Sequence, residues 1–258
     1  MVQRREKHRD DRDYDTTQLH EAGHGRVLAR DYSAHFFRWS FARRFITSKD
    51  HVLEVGCGED KPLSKILTGG AAAHVASYVG VDMNRLKPSG SQRLTFLGEF
   101  NFVERWKEVQ KLRPEGFDVC VNLEVIEHMN GKLQPKLLRG MYECLKPGGV
   151  LLISTPCYDG VRHAANHIKE LTINELDTLL KKAGFQVERR FGTFMDIKHI
   201  GKAETSVGAV DPKKFTEAIK LVRQGLEQYF DNDAISNIFG PLYPDHARNN
   251  LWVCRRPS

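Results

Sequence analysis

The chain has 258 residues, 40% hydrophobic and 28% charged, with a formal net charge of +6 and a pI near 9.0. These values fit one long globular domain, or one domain carrying a sizeable insertion. They exclude a membrane-spanning helix, because no apolar run nears the ~20 residues a span needs. The basic balance permits a nucleic-acid or phosphate-bearing partner without requiring one.

The N-terminal stretch MVQRREKHRDDRDYD has no apolar h-region, so it does not read as a secretory signal. Its dense mixed charge predicts a disordered lead-in over residues 1–14, followed by a single domain over 15–258. The cysteines at 57, 120, 144, 157 and 254 are odd in number and form no CxxC pair. That usage predicts reduced, mostly buried thiols and a cytoplasmic protein.

Residues 26–48 carry apolar positions at helical spacing and predict an amphipathic N-terminal cap, placed at 15–48. Short apolar runs then alternate with helical stretches. HVLEVGC reads as a strand, KPLSKILTGG as a short helix, and SYVGVDM and RLTFLGE as strands. FDVCVNLEV is a strand, and KLQPKLLRGMYECL a helix with Pro135 in its first turn. GVLLISTP is a strand. TINELDTLLKKAG is a helix whose Thr172 and Glu175 have capping-box spacing, and FQVERRFGTF is a strand. Such alternation predicts an α/β fold, Rossmann-like, with a mostly parallel seven-stranded sheet covered by helices on both faces. Residues 195–246 break the rhythm and read as a helical insertion. Within it Phe215, Ala218, Ile219, Val222, Leu226, Tyr229 and Phe230 mark one face expected to pack. ARNNLWVCRRP supplies a last strand.

Ligands of open α/β sheets sit at the carboxyl ends of strands, where glycines let the backbone approach. VLEVGCGED places Gly56 and Gly58 there, with Glu54 two residues before the first glycine. The third glycine of a dinucleotide fingerprint is missing, since Lys61 stands in its place. YVGVDM ends in Asp82, a position suited to accepting both hydroxyls of a ribose. LKPGGVLLISTP puts a Pro-Gly-Gly turn directly before a strand.

In order and spacing over residues 50–195, E-x-G-C-G, the strand-end acid, FDVCVNLEVIEHM and LKPGGVLLISTP resemble the motifs of class I S-adenosylmethionine-dependent methyltransferases. The resemblance implies S-adenosylmethionine as cofactor. Glu54, Gly56, Cys57 and Gly58 would line its methionine end. Asp82 would take the ribose hydroxyls, with Met83 against the adenine. Glu99 would read the adenine amino group where the family often has aspartate, with Phe100 beside the ring. Asn122 and Leu123 would border the sulfonium. Asp60, where a third glycine is common, is a further departure. The [N/D]-P-P-[Y/F/W] loop of amino-methylating DNA enzymes and the Pro-Cys loop of cytosine C5 enzymes are both absent after the fourth strand.

NLEVIEHM adds Glu124, Glu127 and His128. If the chain turns helical after Glu124, these fall at i, i+3 and i+4 on one face. Three readings stand. The cluster holds Mg²⁺ or another divalent ion that lowers an acceptor hydroxyl's pKa, acts as acid and base without metal, or is structural through the helix dipole. E-x-x-E-H is similar to the metal motif of ubiquinone-pathway O-methyltransferases and of small-RNA 3′-terminal 2′-O-methyltransferases. In the latter a downstream histidine completes the site, which points to His167 in RHAANHIKELT, with His163 as substitute. The implied reaction is methyl transfer to a small hydroxylated molecule or a nucleotide sugar hydroxyl, with Glu127, His128 and His167 catalytic. The alternatives are N-methylation of a small molecule and a non-catalytic S-adenosylmethionine-binding factor. A small-molecule substrate is the expected partner, with RNA or a nucleotide second; no oligomeric state is specified.

HEAGH at 20–24 matches the zinc-protease pattern, yet Gly23 and Gly25 weaken the helix it needs and no third ligand stands out. The segment reads instead as cap, with His24, Arg26, Tyr32 or His35 near cofactor or substrate. Tyr32 and Arg38 fit equally as ordinary helix residues.

Overall fold

The computed structural model describes residues 13–14, 37–68, 74–89, 91–160, 166–195, 212–229, 235, 240–242 and 244–258. The β-branched and leucine-rich runs form β1 (His51–Val55), β2 (Ser77–Val81), β3 (Leu94–Leu97) and β4 (Phe117–Leu123). β5 (Leu145–Pro156), β6 (Gln186–Met195) and β7 (Ala247–Arg255) follow. They make one sheet in the order β3-β2-β1-β4-β5-β7-β6. The first five strands pair in parallel, and helices join β1 to β2, β3 to β4 and β4 to β5. β7 runs antiparallel to both β5 and β6, so the complete sheet is mixed.

Helix α1 is described over residues 37–42. It is followed by α2 (Pro62–Thr68), α3 (Phe102–Leu112), α4 (Gln134–Cys144), α5 (Ile173–Ala183) and α6 (Pro212–Glu227). On one sheet face Val109 of α3, Leu137 and Met141 of α4, and Leu176 and Leu180 of α5 pack on Leu53, Cys120 and Leu151. On the other, Trp39 and Ala42 of α1 and Leu63 and Leu67 of α2 cover Val52, Val121 and Leu152. Both faces of β1 and β4 are buried, which is why their sequences run apolar without alternation.

Thr172 caps α5 in a full capping box with Glu175, and Gly184 ends it at φ +103°. α3 has no counterpart among the segments read from the sequence. Its signals are Asn101, which accepts from Val103 N–H as N-cap, and the buried pair Phe102 and Val109. α6 corrects an expectation: Val222 is 50% and Tyr229 81% exposed, so this part of the stripe faces solvent rather than packing. The side chains of Phe215 and Ile219 lie outside the described set.

At the charged lead-in, Asp13 and Tyr14 are held. Tyr14 forms an antiparallel bridge with Met129, and Asn130 N–H donates to the Asp13 carbonyl at 3.1 Å. The Tyr14 hydroxyl meets the Asn101 side chain at 3.3 Å. The described cysteines are all free, with Cys57, Cys120, Cys144 and Cys254 buried. No described helix is long and apolar enough to cross a membrane.

Candidate cofactor and acceptor site

From β1 the chain builds outward through β2 and β3, then returns to lay β4 on the other side of β1. That reversal opens a crevice at the carboxyl ends of β1 and β4, the usual ligand position in such sheets. The loop leaving β1 turns on Gly56 (φ +82°) and Gly58 (φ +68°), conformations that favour glycine. Gly56 and Cys57 donate their N–H groups to the Val81 carbonyl at 2.8 and 3.2 Å, tying the loop to β2. A Cβ on Gly56 would lie 2.3 Å from Val125 Cγ2, so the loop also abuts the segment after β4.

Asp82 organises the β2 side. One carboxylate oxygen accepts Gly58 N–H at 2.7 Å and the other accepts Asn84 N–H at 2.9 Å. The Asp82 carbonyl accepts Phe100 N–H, and Asn84 carbonyl accepts Glu99 N–H. Asp82, Glu99 and Phe100 are thereby joined with the glycine loop. Met83 and Glu99 are exposed at this rim, whereas Phe100 is buried beneath the Arg105 guanidinium, 4.3 Å from its ring. Asn122 sits at the crevice floor. Its Nδ2 donates to the Val55 carbonyl at 2.9 Å, and its fully buried Oδ1 has no partner among the described residues. Leu123, at the end of β4, is nearly buried beside it.

Glu54 and Cys57 point beneath the loop. The Glu54 carboxyl is 2% exposed and receives a short hydrogen bond from the Tyr78 hydroxyl. Burial pushes its pKa up to about 8; the Tyr78 hydrogen bond opposes that shift and the Asp82 charge adds to it. Burial also raises the Cys57 thiol, whose sulfur packs close to Gly80, so Cys57 offers the loop its backbone rather than a reactive side chain. Tyr78 and Asn84 were not legible as site residues: Tyr78 opens YVGVDM and Asn84 follows it, but no spacing singles either out.

The segment after β4 departs from a regular helix. Glu124 has φ +56°, and the chain makes a single 3₁₀ turn, Ile126–His128. The i, i+3, i+4 face expected for Glu124, Glu127 and His128 therefore does not form. The Glu124 carboxylate accepts from Ser154 Oγ at 2.8 Å and Asn249 Nδ2 at 2.6 Å, with Arg38 Nε at 3.6 Å. The metal ligand expected at Glu124 is thus corrected: these partners hold it outside the cluster. Among the described residues, the non-glycine positions with positive φ are Lys61, Glu99 and Glu124, in the loops leaving β1, β3 and β4. Each costs on the order of 1 kcal/mol, and all three lie in loops at the carboxyl ends of the parallel strands.

Glu127, His128 and His167 do converge, with one ligand atom from each within 4.8 Å of the others. The His128 and His167 rings stand edge to face at 5.0 Å. Glu127 is 1% exposed, and its carboxylate accepts from Thr155 Oγ1 at 3.0 Å. Burial first, and the Glu124 charge second, raise its pKa to about 8. The Glu127 carbonyl accepts from Ile168 and Lys169 N–H, which draws the His167 segment against the turn. His128 Nδ1 lies 3.0 Å from the Asn166 carbonyl, and His167 Nδ1 lies 2.5 Å from Glu170 Oε1. Burial lowers the His167 pKa, but the Glu170 hydrogen bond and the Glu127 charge outweigh it and the net shift is upward. Thr155 and Glu170 are supporting residues that lie inside LKPGGVLLISTP and RHAANHIKELT without a spacing that singles them out. His163, the HEAGH segment, Arg26, Tyr32 and His35 lie outside the described residues.

A family profile described as a methyltransferase domain matches residues 28–190. A relative from Mycolicibacterium smegmatis, described as a probable S-adenosylmethionine-dependent methyltransferase, is 38% identical over 97 residues. The match covers 33% of this chain and 37% of that protein. Among solved structures, a SAM-dependent methyltransferase from Archaeoglobus fulgidus superposes with a TM-score of 0.54 at 16% identity, covering 88% of this chain and 94% of that one. The [4+2]-cyclase SpnF superposes with a TM-score of 0.55 at 15% identity, covering 91% and 84%. These superpositions bear on the fold alone, and SpnF shows that the fold also hosts a cyclase. The profile spans more than half of the sequence and includes the glycine loop, Asp82 and the Glu127 turn: the chain belongs to the methyltransferase-domain family.

Proposed function

We propose that the chain transfers a methyl group from S-adenosylmethionine to an oxygen acceptor, a small hydroxylated molecule or a nucleotide sugar hydroxyl. The observation carrying the acceptor half is the convergence of Glu127, His128 and His167 just past the strand that bears Asn122 and Leu123. The cofactor half rests on the Gly56–Gly58 loop bonded to Asp82, and on Asn122 Oδ1, a buried acceptor awaiting a donor.

The donor set fits a divalent ion. Each histidine anchors Nδ1 on an oxygen, Asn166 carbonyl or Glu170 carboxylate, which leaves Nε2 available, the arrangement metal-binding histidines adopt. One carboxylate and two imidazoles suit Mn²⁺, Fe²⁺ or Zn²⁺ better than the oxygen-rich set that Mg²⁺ favours. A bound divalent ion would lower the pKa of an acceptor hydroxyl. Thr155 and Glu170 fix the ligands' orientation. The crevice aligns donor and acceptor, the main contribution a protein makes to displacement at an already activated sulfonium.

A second reading drops the metal and uses Glu127 as general base, favoured by a pKa near 8, close to working pH. Chelation separates the two. Radiolabelled methyl donor is offered with pooled small molecules and RNA, with EDTA and then with added Mn²⁺. Loss and recovery of labelling support the metal reading, while undiminished labelling after chelation moves the proton to Glu127 alone. Binding of S-adenosylhomocysteine without labelling of any acceptor would reduce the chain to a cofactor-binding factor.

A further inference from the structure

A second concavity lies away from the crevice. Phe41, Arg44 and Phe45, from α1 and the turn after it, face Arg189 and Phe191 of β6 and Pro241, around a cavity of about 380 Å³. Its phenyl rings pack on the sheet face covered by α1 and α2, whereas Ile126 and Met129 beside the metal-binding cluster pack on the opposite face. In the sheet order β6 lies three strands from β4. The two sites share no residue.

The floor is aromatic: Phe41 meets Phe191 edge on at 4.9 Å, and Phe45 lies 5.7 Å from Phe41. The rim is cationic. Arg189 and Phe191, two apart on a strand, project to the same face, and the Arg44 guanidinium sits 5.6 Å over the Phe41 ring. Among the described residues no ion pair holds Arg44 or Arg189. The nearby acids are already engaged, Glu188 with Arg255 and Asp245 with Arg190. Two solvent-facing guanidinium groups on one small cavity suit an anion, although the Glu188 carboxylate also acts on Arg189 from the neighbouring position. A carboxylate is satisfied by one bidentate arginine, whereas a phosphate presents enough oxygens for two. An aromatic floor adds apolar and edge contacts for a planar ring, and the volume lies in the range of small-ligand sites, about 300–1,000 Å³.

We propose that this cavity binds a nucleoside phosphate, its base against Phe41, Phe45 and Phe191 and its phosphate between Arg44 and Arg189. The inference rests on neither the metal nor the acceptor reading. The test is titration with fluorescently labelled guanosine monophosphate while S-adenosylhomocysteine saturates the cofactor crevice. Saturable binding is expected, weakened at least tenfold in the Arg44→Gln/Arg189→Gln double variant. Both side chains are exposed, and an unchanged melting temperature and S-adenosylhomocysteine affinity certify that variant's fold. Unlabelled guanosine monophosphate should compete far better than guanosine or inorganic phosphate. A single-stranded trinucleotide competing more strongly than the mononucleotide identifies a strand as the source, and equal competition a free nucleotide; either supports the shared chemistry. No binding, undiminished binding in the double variant, or competition by inorganic phosphate equal to that by guanosine monophosphate overturns the proposal.

Discussion

Two glutamates three residues apart, Glu124 and Glu127, have the same chemistry and opposite circumstances. Glu124 is fixed to Ser154, Asn249 and Arg38, while Glu127 faces two imidazoles. Glu127→Ala is expected to abolish measurable Mn²⁺ binding by calorimetry and leave S-adenosylhomocysteine affinity within a few-fold. Glu124→Ala should retain Mn²⁺ affinity but lose about 2 kcal/mol of stability to urea, because buried donors lose their acceptor. Mn²⁺ binding lost equally in both would return Glu124 to the ligand set. Glu127, His128 and His167 lie together, but spacing could not reveal that Glu124 has positive φ. That single dihedral redirects its side chain and cancels the helical-face argument.

Glu54 makes a pH prediction at the same scale. Its folded pKa is about 8, against ~4.3 for an unfolded glutamate. The neutral carboxyl therefore costs nothing below about pH 4, and stability falls as pH rises towards 8, where the unfolded chain alone is ionised. Glu54→Gln keeps an acceptor for Tyr78 and removes the titration. Its melting temperature relative to the parent should rise between pH 5 and pH 8, and a pH-independent difference would refute the buried neutral carboxyl. The Tyr78 partner was invisible in sequence, because only the β1–β2 register brings positions 54 and 78 together.

At the level of elements, the crevice depends on two loops fitting one another. Gly56 supplies positive φ and a missing Cβ, and Val125 fills the space that atom would take. Gly56→Ala should cost more than tenfold in S-adenosylhomocysteine affinity. Adding Val125→Ala should recover part of it, since the second change removes the clash but not the backbone strain. An identical loss in single and double variants would show that the clash is irrelevant. The strands, α4 and α5 were readable because buried parallel strands and capped helices carry strong local signals, Thr172 and Glu175 the clearest. α3 shows how a readable signal is passed over: Asn101 caps it, but Arg105, Lys107, Glu108 and Lys111 dilute its apolar stripe. α6 shows the converse, a clean stripe whose Val222, like Tyr229 just past the helix, meets solvent. Periodicity reports that a helix is amphipathic, not whether something covers it.

Over the whole molecule, alternation predicted the parallel half of the sheet, and the family resemblance placed the cofactor motifs at its switch point. The antiparallel entry of β7 between β5 and β6 had no local signal, because pairing partners are a property of topology rather than of the run itself. A chain ended at residue 246 should lose cooperative urea unfolding and become protease-sensitive, since β5 and β6 would each lack a neighbour; a sharp two-state transition in it would contradict the sheet order. The same arrangement bears on synthesis. β7 comes last in chain order among the described strands yet lies inside the sheet, so β6 has no seat until β7 has emerged from the ribosome. Until then the nascent chain presents an open β5 edge rich in leucine and isoleucine, a template for mispairing with another copy. Codon choice and chaperone supply over the segment between β6 and β7 thereby become determinants of yield.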